Sequence, residues 1–207
     1  VYLPLLEQAG VGGADRPVLD LGCGRGEWLE VLSGRGLIGR GIDLSGVSCA
    51  DCRDRGLDVV QADALTYLEA LPDACLGAIT GMHIVEHLPF ETLLEVIGQC
   101  ARVLRPGGLL IFETPNPSNV LVATSSFYLD PTHRNPIPSA LLKLLVESRG
   151  LTRVDVLELK RYAQQWSGIE SEMDRYHVAN FFGAEHYAVI GPKPSAARHA
   201  NEPAPEA

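Results

Sequence analysis

Three histidines and two acids in this chain have the types and spacing to move protons or to hold an ion. His83, Glu86 and His87 stand in the run Gly81-Met82-His83-Ile84-Val85-Glu86-His87-Leu88-Pro89, and Asp130 and His133 follow further on. Read as one helical turn, positions 83, 86 and 87 share a face, because they lie three and four residues apart. Pro89 discourages a helix from continuing through Leu88. Imidazole titrates near neutral pH, which suits a general base. A mixed set of imidazoles and carboxylate also suits a divalent cation, and a third reading has the cluster merely pack and hydrogen-bond. Without metal, His133 is the preferred base and His87 the second. Asp130 orients His133 or joins the site, or else caps the turn before Pro131.

A second group of residues is built for binding. In Val18-Leu19-Asp20-Leu21-Gly22-Cys23-Gly24-Arg25-Gly26 an apolar strand runs into a glycine-rich turn, and a helix follows. Glycines there allow a tight turn and the close approach of a ligand to backbone. Asp43, in Gly41-Ile42-Asp43-Leu44-Ser45, ends the next strand roughly 20 residues on, where a carboxylate can accept both hydroxyls of a ribose. The G-x-G-x-G spacing differs from the G-x-G-x-x-G of dinucleotide sites and disfavours a nicotinamide-dependent oxidoreductase.

Alternating apolar runs and amphipathic stretches must carry these groups, as in βαβ units around a parallel sheet. Strands are expected over Pro17–Leu21, Ile38–Asp43, Asp58–Gln61, Leu76–Thr80, Gly108–Glu113, Arg153–Lys160 and Tyr187–Gly191, and helices over Glu27–Ser33, Ser45–Arg55, Leu65–Ala70, Phe90–Leu104 and Ser139–Ser148. Pro106-Gly107-Gly108 reads as a turn before the fifth strand. From Thr114 to Pro138 the chain is rich in Pro, Asn, Ser and Thr, as in a long active-site loop. Tyr162–Ala184 is a second irregular stretch. One domain is expected over residues 1–191, with a disordered tail over 192–207.

The glycine run resembles motif I of class I S-adenosylmethionine-dependent methyltransferases, and later segments agree in order and spacing. Gln61-Ala62-Asp63-Ala64 is similar to the adenine-contacting segment. Arg102-Val103-Leu104-Arg105-Pro106-Gly107-Gly108 is similar to the entry to the fifth strand, and His186-Tyr187-Ala188-Val189-Ile190-Gly191 to the final antiparallel strand. The resemblance implies a Rossmann-like, doubly wound α/β fold with a seven-stranded, mostly parallel sheet and an antiparallel last strand. It implies that Asp20 orients the methionine end of S-adenosylmethionine, and that Gly22, Cys23, Gly24 and Gly26 make room for it. Asp43 and Leu44 would take the ribose, Asp63 and Ala64 the adenine, and Met82 would lie beside the cofactor.

An E-x-x-E-H form of the 83–87 segment occurs in small-RNA 2′-O-methyltransferases and in some ubiquinone-pathway O-methyltransferases, where it resembles a divalent-metal site. Here His83 replaces the first Glu, and His133 is available to complete a set of His83, Glu86, His87 and His133 for Mg²⁺ or Mn²⁺. Imidazoles suit Zn²⁺ or Mn²⁺ better than Mg²⁺. The segments Glu113-Thr114-Pro115-Asn116-Pro117 and Phe127-Tyr128-Leu129-Asp130-Pro131-Thr132-His133-Arg134-Asn135-Pro136 resemble bacterial polysaccharide methyltransferases, including the mycobacterial methylmannose polysaccharide 1-O-methyltransferase. That implies methyl transfer to a sugar or oligosaccharide hydroxyl, with Tyr128, Arg134, Trp166 and His177 expected to touch the acceptor. A phenol or quinone-precursor methyltransferase and a non-catalytic cofactor-sensing domain are the alternatives.

With 17 Lys and Arg against 26 Asp and Glu, the net charge of −9 argues against nucleic acid as a partner. No apolar stretch reaches the roughly 18–20 residues of a membrane span. Val1 at the start leaves the natural N-terminus open, and the opening residues do not read as a signal peptide. The five cysteines, an odd number scattered through apolar segments, fit reduced thiols and a cytoplasmic location. Cys49 and Cys52 read as two thiols on a helix. No stripe marks an interface, so a homodimer stays open.

Overall fold

The computed structural model describes residues 1–159, 171–172, 181 and 183–195. Its strands are β1 (Val18–Leu21), β2 (Gly39–Asp43), β3 (Val59–Gln61), β4 (Leu76–Met82), β5 (Leu104–Pro115), β6 (Asp155–Leu159) and β7 (His186–Pro192). They form one seven-stranded sheet in the order β3-β2-β1-β4-β5-β7-β6. β1 to β5 run parallel, and β7 is antiparallel to both its neighbours. This is the Rossmann-like α/β arrangement expected from the sequence.

Helices cover both faces, which is why β1 is buried at every position. On one face lie α1 (Leu3–Ala9), α2 (Glu27–Ser33) and α3 (Gly46–Asp54), with Leu6, Leu29, Leu32, Cys49 and Cys52 in their core. On the other lie α4 (Ala64–Ala70), α5 (Phe90–Val103) and α7 (Ser139–Ser148), contributing Leu68, Leu93, Ile97, Leu142 and Val146. Along α5 the buried residues are Leu93, Val96, Ile97, Cys100 and Val103, the three-and-four spacing of a single helical face. Strand order reverses between β1 and β4, so a crevice opens at their carboxyl ends, where such sheets bind ligands.

The chain departs from expectation in four places. Helix α1 was not foreseen, although Pro4 in its first turn and left-handed Gly10 (φ 61°) after its end mark it. The Pro106-Gly107-Gly108 turn lies inside β5: Leu76 pairs with Leu104 but Ala78 with Leu109, so residues 105–108 bulge out of the ladder. The expected loop after β5 contains a short helix α6 (Val120–Thr124), capped by the Asn119 side chain, and a 3-10 turn at Ser126–Leu129. The last strand also runs one residue past its expected end at Gly191. Pro192 pairs with Leu109, and the Lys193 Nζ donates to the Leu104 carbonyl at 2.6 Å.

Tyr162, Gln165, Trp166, Tyr176, His177, Asn180 and residues 196–207 lie outside the described residues. Among the described residues no helix is long and apolar enough to cross a membrane.

Ile97 is fully buried between α5 and the sheet. Ile97→Ala should therefore cost about 2–5 kcal/mol of stability. Urea titration should show a lower midpoint with an unchanged slope, and an unchanged midpoint would contradict the packing described.

Candidate active site

The crevice holds a cavity of about 300 Å³ whose lining includes Gly22, Asp43, Leu44, Asp63, Ala64, His83, Ile84 and His87. The Asp43 carboxylate is fixed before any ligand arrives: Oδ2 accepts from the Gly24 N–H at 2.9 Å and Oδ1 from the Ser45 N–H at 2.7 Å. A carboxylate has about four lone-pair sites, so two remain for hydroxyl donors. Asp63 caps α4 by accepting from the Thr66 N–H at 3.0 Å.

Gly22 is left-handed at φ 66°, and a Cβ there would lie 3.2 Å from the Ile84 side chain. Gly26 answers a different need, because its Cβ would meet Leu57 at 2.6 Å and the Cys52 sulfur at 3.0 Å. Its bareness seats the turn against α3.

Asp20, Cys23 and Met82 are not among the residues lining the cavity. Met82 and Cys23 pack into the α1–α3 core, and burial pushes the Cys23 thiol up to about 12. The five cysteines are free thiols. Asp20 is buried, with its Oδ1 accepting from the Thr80 hydroxyl at 2.7 Å. That hydroxyl in turn accepts from the Trp28 indole N–H at 3.1 Å. Burial lifts the Asp20 pKa to about 7; the Thr80 bond opposes the rise and the Asp43 charge adds to it.

On the other side of the crevice the 83–87 segment is not one helical turn. Val85–His87 forms a 3-10 turn, and His83 precedes it in the left-handed region at φ 58°. This is rare for a residue with a side chain and marks a constrained position. The four residues expected to act together divide in two. Glu86, His87 and His133 bring ligand atoms within 4.8 Å of one another, whereas His83 forms another such group with Glu113 and His186.

Glu86 has no exposure. It accepts from the Thr114 hydroxyl at 2.9 Å, and its other oxygen lies 3.0 Å from His83 Nδ1. Burial works against a charge on His83, yet the carboxylates of Glu113 and Glu86 outweigh it and lift its pKa to about 9. Glu113 is correspondingly lowered: burial opposes ionisation, but His83 and the Tyr2 hydroxyl overcome it.

The tautomers of the other two histidines follow from their partners. His133 Nδ1 lies 2.6 Å from the Phe127 carbonyl, which can only accept, so Nδ1 carries the proton. The Thr132 hydroxyl donates to Asp130 Oδ1 at 2.6 Å and so accepts from His87 Nδ1 at 2.9 Å. Each ring thus spends Nδ1 on a protein acceptor, and Nε2 is the nitrogen left to the site. His133 Nε2 lies 4.0 Å from Glu86 and 4.0 Å from Asp130.

Asp130 also accepts from the Thr132 N–H at 2.8 Å, so it is the turn cap and orients His87 through Thr132. Arg134 donates from its backbone to the Glu86 carbonyl and from Nε to the His87 carbonyl, tying the loop down. Tyr128 is exposed, with its ring edge against Phe127. Tyr2, Thr80, Glu113, Thr132 and His186 were not foreseen as site residues. Strand pairing and loop docking bring them in, and no local motif announces them.

Comparison with known proteins agrees with this geometry. A model of the methyltransferase domain family matches residues 3–190. The fold superposes on an S-adenosylmethionine-dependent methyltransferase from Archaeoglobus fulgidus with a TM-score of 0.79 at 30% identity, covering 92% of this chain and 91% of that one. The chain belongs to the S-adenosylmethionine-dependent methyltransferases.

A Mycolicibacterium smegmatis protein named "probable S-adenosylmethionine-dependent methyltransferase" is 27% identical over 87% of this chain and 67% of its own length. A ubiquinone biosynthesis O-methyltransferase from Methylococcus capsulatus is 36% identical over 118 residues, 54% of this chain and 48% of the relative. The chain thus spans about half the length of that relative. None of these three proteins is named for a sugar acceptor.

Two outcomes follow. Asp43→Ala should weaken S-adenosylmethionine binding by about 1.5–3 kcal/mol, the usual worth of a hydrogen bond to a charged group. Calorimetric titration of a folded variant with normal affinity would refute that role. The second concerns Asp20, whose folded pKa of about 7 lies above the ordinary aspartate value of 3.8. Between these values the native state binds more protons than the unfolded one, so this group's contribution to stability falls as pH rises through that window. Thermal unfolding of Asp20→Asn should lose that slope, and identical pH profiles would contradict it.

Proposed function

We propose that the chain methylates an oxygen of a small-molecule acceptor, of the phenol or quinone-precursor type, with His133 as the general base. The observation that carries this reading is that His87 and His133 both spend Nδ1 on protein acceptors, with their rings 4.7 Å apart and His87 lining the cavity. Relatives named for ubiquinone biosynthesis O-methylation support the acceptor class.

Bound S-adenosylmethionine supplies an electrophilic methyl carbon on a positively charged sulfur. Asp43 suits its ribose hydroxyls, and Asp63 with Ala64 its adenine. Asp20, costly to ionise alone, is matched to the ammonium of its methionine end. What remains for the protein is to remove the acceptor's proton. His133 Nε2 can receive it, and the carboxylates of Glu86 and Asp130, both 4.0 Å away, would stabilise the imidazolium.

A metal-assisted variant is favoured by the convergence of Glu86, His87 and His133 within 4.8 Å. With two imidazoles and one carboxylate, these donors fit Mn²⁺ better than Mg²⁺. Such an ion would hold neighbouring oxygens and lower a hydroxyl pKa. The polar cover of Asp130, Thr132 and Arg134 also keeps a sugar hydroxyl as second acceptor class, with Tyr128, Arg134, Trp166 and His177 as its contacts.

The deciding experiment is methyl transfer from labelled S-adenosylmethionine to phenols, catechols and mannosides, with and without EDTA. Transfer to phenolic acceptors that resists EDTA is expected. Sugar-only transfer would overturn the acceptor class, and EDTA-sensitive transfer restored by Mn²⁺ would move the chemistry to the ion. His133→Ala should keep cofactor affinity and lose about 10²–10⁴-fold in rate, and an unchanged rate would remove His133 from the mechanism.

A further inference from the structure

The structure assigns a second, separate divalent-cation site, of the zinc class, to His83 Nε2, Glu113 and His186 at the carboxyl end of β4 and β5. It is independent of the acceptor proposed above. Ligand atoms of these three residues lie within 4.8 Å of one another, and His83 Nε2 is 3.6 Å from Glu113 Oε1. That separation is long for a hydrogen bond. It is close to the roughly 3.4 Å expected between two ligands about 2.0–2.1 Å from a tetrahedral ion.

The backbone dictates this meeting. The His83 N–H donates to the Glu113 carbonyl at 2.9 Å, locking the end of β4 to β5. Glu113 pairs directly with Ala188, so His186, two residues along β7, projects from the same sheet face. The left-handed turn at His83 carries its imidazole to that face, and its ring meets His186 edge-on at a centroid distance of 4.8 Å.

Two of the ligands are also braced on their far atoms. Glu86 stands 3.0 Å from His83 Nδ1, so the Nδ1–H donates to it, and the ion would displace the Nε2 proton and take Nε2 as the ligand nitrogen. The Tyr2 hydroxyl donates to Glu113 Oε2 at 2.6 Å, leaving Oε1 to face His83. Outer carboxylates and hydrogen bonds of this kind are what orient metal ligands. Two imidazoles and one carboxylate form a set that catalytic zinc sites use, with the fourth position left open. All three ligands are partly exposed, so an ion can enter.

The test is titration of the full chain, stripped by chelator, with Co²⁺ as spectroscopic probe and Zn²⁺ as competitor. One Co²⁺ with tetrahedral visible bands, displaced by Zn²⁺, is expected in the wild type and in His133→Ala. His186→Gln and Glu113→Gln should lose the bands. Tyr2→Phe should keep them with about 10–100-fold weaker affinity, the usual cost of removing an outer partner. Circular dichroism checks that each variant is folded; should one ligand variant unfold, the other carries the test. Absence of bands in the wild type would overturn the site. So would bands lost in His133→Ala but kept in His186→Gln, which would place the ion at Glu86, or sulfur charge-transfer bands, which would place it at Cys49 and Cys52. Methyl transfer plays no part in these readouts, so failure here leaves the O-methyltransferase proposal standing.

Discussion

A carboxylate with no contact with water must be surrounded by donors, and the histidine side of the crevice is organised around one, Glu86. Its desolvation would cost several kcal/mol if it were left unpaired. The Thr114 hydroxyl from β5 and the His83 imidazole from the end of β4 supply the donors. The Glu86 carbonyl receives the Arg134 N–H, so the long loop after β5 is tied to the same residue. Through that loop come Thr132, which orients His87, and His133, whose Nε2 faces the Glu86 carboxylate. One buried charge therefore fixes a strand end, a loop and the geometry of three histidines.

The glycine-turn side of the crevice obeys a different constraint, that of backbone shape. Its residues stand where parallel strands end, and their side chains are held by main-chain N–H groups, as Asp43 is by Gly24 and Ser45. The two sides meet at the β1–β4 seam. There Thr80 of β4 donates to Asp20 of β1, and His83 and Ile84 supply the cavity wall opposite Gly22.

Much of this was legible in the sequence because its signals are local. The run from Val18 to Gly26, the acid ending β2 and the three-and-four spacing in α5 each declare themselves within a short window. Asp130 was readable as a turn cap because Asx turns need only two residues of context. What stayed hidden depends on pairing at long range. Glu113 and His186 are 73 positions apart in the numbering and meet only because β7 inserts antiparallel beside β5. His83 was misread as part of a helical face, because nothing in its neighbours signals a left-handed residue before a 3-10 turn. For Gly26 the packing against Leu57 and Cys52 was equally hidden, since both contacts come from residues about 30 positions on.

The bulge in β5 has a consequence for how such a chain can change in length. Residues 105–108 leave the ladder to β4, while Gly107 and Gly108 stay bonded to the Lys193 backbone, so an insertion or deletion at 105–106 can be absorbed without altering the pairing that resumes at Leu109. Beyond that point the strand has no slack. Glu113 and Thr114 face opposite sides of the sheet, one toward Tyr2 and the other toward Glu86. A single-residue gain or loss between Leu109 and Glu113 would exchange their faces, turning a carboxylate into the apolar layer and leaving Glu86 without its hydroxyl donor. In lineages that share this fold, length variation should therefore collect at the bulge and be purged from the few residues after it.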